Sequence, residues 1–139
     1  YDFSSADGIN GIGKSSIGVN DDPDGSYTTL SHSTEHVYGN ETGSLKVVCA
    51  PAWRLQLTLP ATQTDLSCYD YVVFRVYVSD AADPASRNIS GVGESDWVNC
   101  PVGEWTEIKV AASAFRNTIT VAEWANHTFY VSNIYAVVE

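Results

Sequence analysis

Apolar and polar side chains alternate along two segments of the chain, and this pattern predicts two β-strands. In residues 70–78, positions 72, 74, 76 and 78 are Val, Phe, Val and Val, whereas positions 71, 73, 75 and 77 are Tyr, Val, Arg and Tyr. In residues 53–59, three leucines alternate with Arg, Gln and Thr before Pro60 ends the run. Because successive side chains of a strand point to opposite faces, each segment is expected to bury one face.

Shorter segments rich in Val, Ile, Thr and Tyr predict further strands. These segments are residues 44–50, 88–92, 105–110 and 128–138, with a weaker one near 12–19. Residues 111–124 could hold at most a helical turn or two, which Thr-Ile-Thr-Val at 118–121 disfavours. About seven to nine short strands without intervening helices predict an all-β, antiparallel two-sheet β-sandwich, since packing sheet on sheet then buries one face of each.

The composition excludes two classes of partner. A chain of 139 residues that is 44% hydrophobic and 17% charged is typical of one globular domain, here residues 1–139. No apolar run approaches the roughly 20 residues of a membrane-spanning helix. Seventeen acidic and seven scattered basic residues give a formal charge of -10, whereas nucleic-acid binding needs a dense basic patch. A neutral ligand or a protein surface is the favoured partner.

Three cysteines, Cys49, Cys68 and Cys100, cannot all pair within one chain, and their spacing lacks the CxxC repeats of a zinc site. They are either buried free thiols or, in a secreted protein, a Cys49–Cys68 disulfide with one thiol left over. The chain also lacks methionine and opens at Tyr1 directly into strand-like residues. These features are typical of a segment of a longer polypeptide.

Four pieces of the sequence, in their order and spacing, resemble one protein family. They are Tyr1-Asp2-Phe3 with Asp7-Gly8; Gly-Ser-Leu-Lys-Val at 43–47; Leu-Ser-Cys-Tyr-Asp-Tyr-Val-Val-Phe at 66–74; and Gly-Glu-Trp-Thr-Glu-Ile at 103–108 followed by Phe-Tyr-Val-Ser-Asn-Ile at 129–134. Over nearly its whole length the chain resembles the jelly-roll, galactose-binding-like β-sandwich modules of polysaccharide-degrading enzymes, the carbohydrate-binding modules. Similar domains also bind proteins or act as spacers, so the fold alone does not fix the function.

The resemblance also implies a structural calcium ion that joins the first strand to the last. The positions that would supply its carboxylates are occupied here by Ser4 and Ser132. Hard cations prefer charged oxygen ligands, so no cofactor is expected to be required, although Asp2, Asp7 and carbonyl groups could still assemble a site. Residues 20–25 resemble half of a calcium loop but lack its closing glutamate, and they are interpreted as an acidic turn.

Aromatic residues are the main candidates for ligand contact. A sugar presents flat faces of C–H groups and a rim of hydroxyls, so its site needs aromatic plates and planar polar groups. Trp97 lies in a polar, turn-rich segment, Trp124 has similar surroundings, and Trp53 opens a predicted strand. Each could equally cover the edge of the core. Trp105 is interpreted as structural.

Two polar stripes offer the hydrogen-bonding groups, and the sequence does not choose between them. One is Arg54, Gln56 and Thr58; the other is Tyr71, Arg75 and Tyr77. Consecutive long strands of a jelly roll tend to fall in opposite sheets, so the stripes are expected to face away from each other. The full candidate set is Trp53, Arg54, Gln56, Tyr71, Arg75, Tyr77, Trp97 and Trp124.

No catalytic constellation is visible in the sequence. The three histidines show no HxH or HExxH spacing, and Glu94 and Asp96 share one loop rather than facing each other. We therefore expect a non-catalytic, extracellular and monomeric module, without nucleic-acid or membrane partners. It would bind a neutral polysaccharide or oligosaccharide of the β-glucan, xylan or mannan class and target an attached enzyme to it. The alternative is an interaction or spacer domain of a bacterial surface protein.

Overall fold

The computed structural model describes residues 1–18, 24–80 and 83–139, and these residues form two antiparallel β-sheets. Within them the strands are β1 (Gly13–Ile17), β2 (Thr29–Ser33), β3 (Ser44–Cys49), β4 (Arg54–Thr58), β5 (Tyr71–Val78), β6 (Asn88–Ser90), β7 (Val98–Asn99), β8 (Trp105–Ala111), β9 (Thr118–Ala122), β10 (His127–Val131) and β11 (Tyr135–Val137). One-turn 3₁₀ helices lie at Ala6–Gly8, Leu66–Cys68 and Pro84–Arg87. In the described residues, no helix has the length and apolarity to cross a membrane. The predicted all-β, two-sheet sandwich is confirmed.

The two long alternating strands lie in different sheets. The five-stranded sheet has the order β1-β4-β9-β6-β7. In the six-stranded sheet, β5 pairs with β8 along one side. Along its other side β5 pairs with both β10 and β11. β3 lies beside β10, and β2 lies beside β3 at the edge. The two polar stripes therefore belong to the outer faces of opposite sheets.

The core contains the side chains that the alternation assigned to it. Leu55, Leu57 and Leu59 are buried, as are the four even-numbered apolar residues of β5. Phe74 and Phe129 are fully buried and are among the largest side chains of a single hydrophobic cluster between the sheets. Each such side chain contributes roughly 1.5–3 kcal/mol by leaving water, so this cluster is the main source of stability.

Three details of the prediction need correction. Residues 118–122, which were not assigned a strand, form β9, the central strand of the five-stranded sheet. Residues 29–33 and 98–99 form the edge strands β2 and β7, which were also missed. The single strand predicted over 128–138 is two strands, β10 and β11, because Ser132 interrupts the ladder: its Oγ accepts the Arg75 N–H at 2.8 Å. The acidic turn interpreted at 20–25 lies largely outside the described residues.

All three cysteines are free thiols, so the alternative of a Cys49–Cys68 disulfide is wrong. Cys49 and Cys100 are buried as expected, but Cys68 is exposed at the end of a 3₁₀ helix. Burial raises the pKa of the Cys49 thiol well above its usual value and that of Cys100 to about 12.

A thiol titration is expected to separate the three cysteines. Because the thiolate is the reactive form, a disulfide reagent at pH 8 should modify Cys68 alone in the folded protein and all three thiols after denaturation. The Cys68→Ser variant is the matched control and should show no rapid reaction. A second fast-reacting thiol in the folded protein would contradict the burial of Cys49 and Cys100.

Candidate functional site

Trp53 and Trp124 come together because β4 and β9 are antiparallel neighbours. Leu55 pairs with Val121, so the start of β4 lies beside the end of β9. Trp53 immediately precedes β4 and Trp124 follows β9 by two residues. Their ring centroids are 6.5 Å apart, the planes are inclined by 42°, and the residues are 48% and 52% exposed. We call this pair the tryptophan platform.

The backbone behind the platform is tightly held. The Trp124 N–H donates to Oγ of Ser86, a buried residue of the 3₁₀ helix Pro84–Arg87, at 3.3 Å. Gly18 backs Trp53: a Cβ at Gly18 would lie 2.7 Å from Cβ of Trp53, and its φ is +79°. A larger residue at position 18 would therefore displace the indole or strain the backbone.

Arg54 joins the platform to a third indole. Its guanidinium carbon lies 4.9 Å from the ring centroid of Trp53 and 4.8 Å from that of Trp97, so the cation sits between two aromatic faces. Its Nη1 donates to the Trp53 carbonyl at 3.0 Å, and its Nε lies 3.8 Å from Oε1 of Glu94 without a hydrogen-bond partner. Arg54 therefore packs against both Trp53 and Trp97, with its Nε buried beside Glu94.

Trp97 reaches this position through the turn between β6 and β7. Ser95 Oγ donates to the Val92 carbonyl at 2.9 Å, and Ser90 Oγ accepts the Val92 N–H at 3.0 Å. Asp96 has a φ of +54°, a left-handed conformation that reverses the chain just before Trp97. The indole is consequently half-buried, more covered than its polar sequence context indicated.

The three indoles and Arg54 line one shallow cavity of about 340 Å³. Its lining residues are Trp53, Arg54, Ala85, Asn88, Trp97, Ala122 and Trp124. The cavity combines flat apolar faces with the guanidinium edge and an amide, which is the combination a hydroxyl-rich ring requires. Gln56 lies two residues farther along the outer face of β4 and does not line the cavity.

The second polar stripe is covered by the chain itself. The His36 ring stacks on Tyr77 with centroids 4.2 Å apart, and the Arg75 guanidinium carbon lies 4.4 Å above the Tyr38 ring. Arg75 also pairs with Glu107 at 3.0 Å. Tyr71 at the far end lies under the ammonium of Lys109, 4.1 Å from its ring centroid. Tyr71, Arg75 and Tyr77 are therefore partnered within the protein.

Trp105 belongs to this covered face and not to the platform. It packs 5.5 Å from Tyr77 and 5.8 Å from Tyr38, measured between ring centroids. This is the structural environment expected for it.

The positions that resemble a calcium site serve the backbone instead. Ser132 accepts from Arg75, and Asp2 Oδ1 accepts the Ser4 N–H at 2.9 Å. Among the residues that the structure describes, no group of three His, Cys, Asp or Glu side chains is arranged to hold a metal ion.

The sequence analysis missed two buried polar side chains, Glu123 beside Trp124 and His127 at the start of β10. Glu123 has no exposed surface, and burial raises the pKa of its carboxyl to about 8. His127 is also buried, both of its ring nitrogens lack partners, and burial lowers its pKa. A signal for Glu123 was present, because it shares the odd-numbered, inward positions of Ile119 and Val121.

No protein-family model and no curated protein matches the chain. One similar solved structure is a family 11 carbohydrate-binding module from Clostridium thermocellum in complex with a β-1,3-1,4-mixed-linked tetrasaccharide. It is 16% identical to this chain, with a TM-score of 0.53, and the match covers 94% of this chain and 91% of that one. A carbohydrate-binding module of the β-sandwich superfamily is also 16% identical, with a TM-score of 0.63, covering 94% of this chain and 59% of that one. The chain has the fold of the β-sandwich carbohydrate-binding modules.

The carbohydrate-binding-module fold also occurs within a larger protein of another kind. The enzymatically active domain of tailspike protein 4 from bacteriophage CBA120 is 13% identical, with a TM-score of 0.53. The match covers 98% of this chain but 21% of the tailspike chain. The resemblance drawn from the four sequence motifs is thus confirmed at the level of the fold.

Proposed function

We propose that this chain is a non-catalytic module that binds a neutral polysaccharide, of the β-glucan, xylan or mannan class, on the tryptophan platform. The observation that carries the proposal is the pair of half-exposed indoles sharing one surface, with Arg54 beside them. Soluble proteins seldom leave two adjacent indoles open to water without a binding role. The fold supports the same class of function.

The site chemistry favours a neutral sugar. Indole faces stack on the C–H faces of sugar rings, and the guanidinium of Arg54, which lines the same cavity, offers N–H donors for sugar hydroxyls. Because the planes are inclined by 42°, the platform suits neighbouring rings that are inclined to each other. Two stacked rings with a few hydrogen bonds correspond to a dissociation constant of roughly 1 µM to 1 mM. Binding should depend little on salt, since a neutral glycan releases no counterions.

The wider role follows from the same proposal. As a monomeric module in an extracellular protein, the domain would hold an attached enzyme close to its substrate and so raise the local concentration. The acids beside Trp97 in the sequence, Glu94 and Asp96, lie in one turn, whereas glycoside hydrolysis needs two carboxyl groups on opposite sides of the bond. The cavity therefore supports binding rather than cleavage.

Affinity electrophoresis against a panel of soluble polysaccharides tests this function. Migration should be retarded by at least one β-glucan, xylan or mannan. Adding about 0.5 M salt should not change this retardation, whereas salt would weaken the binding of a charged ligand. Serum albumin in neighbouring lanes is the control for gel sieving. Retardation by none of the glycans would favour the interaction or spacer domain, and release of reducing ends would indicate an enzyme.

Substitutions on the covered face are expected to change stability without changing glycan binding. Tyr77→Ala removes the ring that packs against His36, Tyr130 and Trp105, and should lower the free energy of unfolding by about 2 kcal/mol. Urea unfolding measures the first effect, and retardation in the same glycan gel measures the second. A variant that stays folded but loses retardation would place the site on the six-stranded sheet.

A further inference from the structure

Glu123 connects the two backbone segments that carry the platform. Its carbonyl accepts the N–H of Ala52, the residue before Trp53, at 3.1 Å. Its side-chain Oε1 accepts the N–H of Ala125, the residue after Trp124, at 2.8 Å. One residue therefore bridges both indole-bearing segments, through its backbone on one side and its carboxyl on the other.

The carboxyl of Glu123 is suited to this place only when it is neutral. The side chain has no exposed surface, and Oε2 has no hydrogen-bond partner. An ionised carboxylate without solvent exposure is strongly disfavoured, whereas the protonated form carries no charge to solvate. Desolvation raises the pKa of this carboxyl to about 8, so the neutral form predominates at pH 7.

Few other groups near Glu123 change their charge between pH 7 and 9. Burial keeps the pKa of the Cys49 thiol high, so it stays protonated, and the lowered pKa of His127 keeps that imidazole neutral. Cys49 and His127 are paired across β3 and β10. Asp80 and Arg87 add one negative and one positive charge around this cluster. Glu123 is thus the group whose ionisation would disturb the platform.

We propose that Glu123 is a positioning residue of the tryptophan platform: its backbone carbonyl holds the Trp53 segment, its buried neutral carboxyl holds the Trp124 segment beside it, and ionisation of the carboxyl loosens this arrangement. The consequence for ligands rests on the proposed function and deepens it, because glycan binding then weakens in mildly alkaline conditions. About nine-tenths of the molecules hold the neutral form at pH 7 and about one-tenth at pH 9. The apparent affinity should fall about tenfold between these values.

The first test needs no ligand. In ¹⁵N-labelled protein, the indole N–H resonances of Trp53 and Trp124 should shift with a midpoint near pH 8, while that of Trp105 on the opposite sheet stays constant. In Glu123→Gln, which keeps an acceptor for the Ala125 N–H but cannot ionise, no such shift is expected. Identical pH profiles for the wild type and Glu123→Gln would overturn the proposal.

The second test uses a polysaccharide that retards the wild type. Its dissociation constant should rise about tenfold from pH 7 to pH 9 in the wild type and remain constant in Glu123→Gln. Glu123→Ala lacks the acceptor for the Ala125 N–H and should bind the glycan weakly at both pH values, whereas Glu123→Gln should restore the affinity. If Glu123→Ala does not fold, the comparison of the wild type with Glu123→Gln still tests the proposal. Equal wild-type affinity at both pH values would overturn the coupling. If no glycan binds at either pH, the proposed function fails, while the indole titration still decides the role of Glu123.

Discussion

Replacing Trp124 or Trp53 with alanine is expected to weaken polysaccharide binding by roughly 30-fold each, and replacing both should abolish measurable binding. Each indole offers about half of its surface to solvent, and covering that surface with a sugar face supplies about 2 kcal/mol from apolar burial and aromatic contact. Because the total affinity is modest, the loss of both plates leaves no detectable complex. Isothermal titration calorimetry with the glycan that gives the strongest retardation measures the effect.

Matched substitutions separate contact from folding in this experiment. Trp124→Phe keeps a smaller aromatic plate and should fall between wild type and Trp124→Ala. Trp105→Phe changes an indole on the six-stranded sheet, 5.5 Å from Tyr77, and should leave the affinity unchanged. Full affinity in a folded Trp53→Ala, Trp124→Ala double variant would contradict the platform as the glycan site.

The stability of the fold is expected to decrease as the pH rises, because of Glu123. Burial raises the pKa of this carboxyl from 4.5 to about 8, so between these values the folded chain holds a proton that the unfolded chain has released. The stability contributed by the raised pKa is therefore complete below pH 4.5 and is lost by pH 8, at roughly 1.4 kcal/mol per pH unit. From pH 6.5 to 8 the decrease amounts to about 2 kcal/mol.

The comparison of wild type with Glu123→Gln isolates this effect. The lowered pKa of His127 gives the opposite slope below pH 6.5, and the lowered pKa of the Tyr1 amino group does so near pH 8. Both groups are present in both proteins, so their effects cancel in the difference. Urea unfolding should show the stability of Glu123→Gln rising by about 2 kcal/mol relative to wild type from pH 6.5 to 8. Parallel pH profiles would show that Glu123 is solvated in the folded state.

The strands that could be predicted are those with one face in the core. β4 and β5 alternate because their outer faces carry polar or aromatic groups, and their inward residues were identified correctly. β9 gives no such signal, because residues of both faces are buried: Thr120 is as buried as Ile119. β2 has the opposite difficulty: it is an edge strand with a single apolar residue, Leu30.

The break between β10 and β11 could have been inferred from parity alone. Phe129 and Val131 are inward at odd positions, whereas Ile134 is buried at an even one. All three belong to the one hydrophobic cluster between the sheets, and a strand with a regular pleat cannot direct odd and even positions into the same cluster, so the backbone must shift between them. Ser132 absorbs this shift by bonding to Arg75 of β5.

Candidate binding residues could be proposed from the sequence, but which of them are exposed to solvent could not. The exposure of Trp53 and Trp124 depends on strand pairing that brings two chain positions about 70 residues apart into contact, which requires the three-dimensional register. The covering of Tyr77 by His36 is equally non-local. Residue type identified the chemistry, and tertiary contacts decided which groups remain accessible.

The 6.5 Å separation and 42° inclination of the two platform indoles also give the protein an optical signature. Transition dipoles this close and this inclined couple, so the pair should produce an exciton couplet in the far-ultraviolet circular dichroism spectrum. A change in the angle between the rings alters the amplitude of the couplet, and loss of either ring removes it. Circular dichroism therefore offers a label-free record of platform geometry during ligand titrations or pH changes.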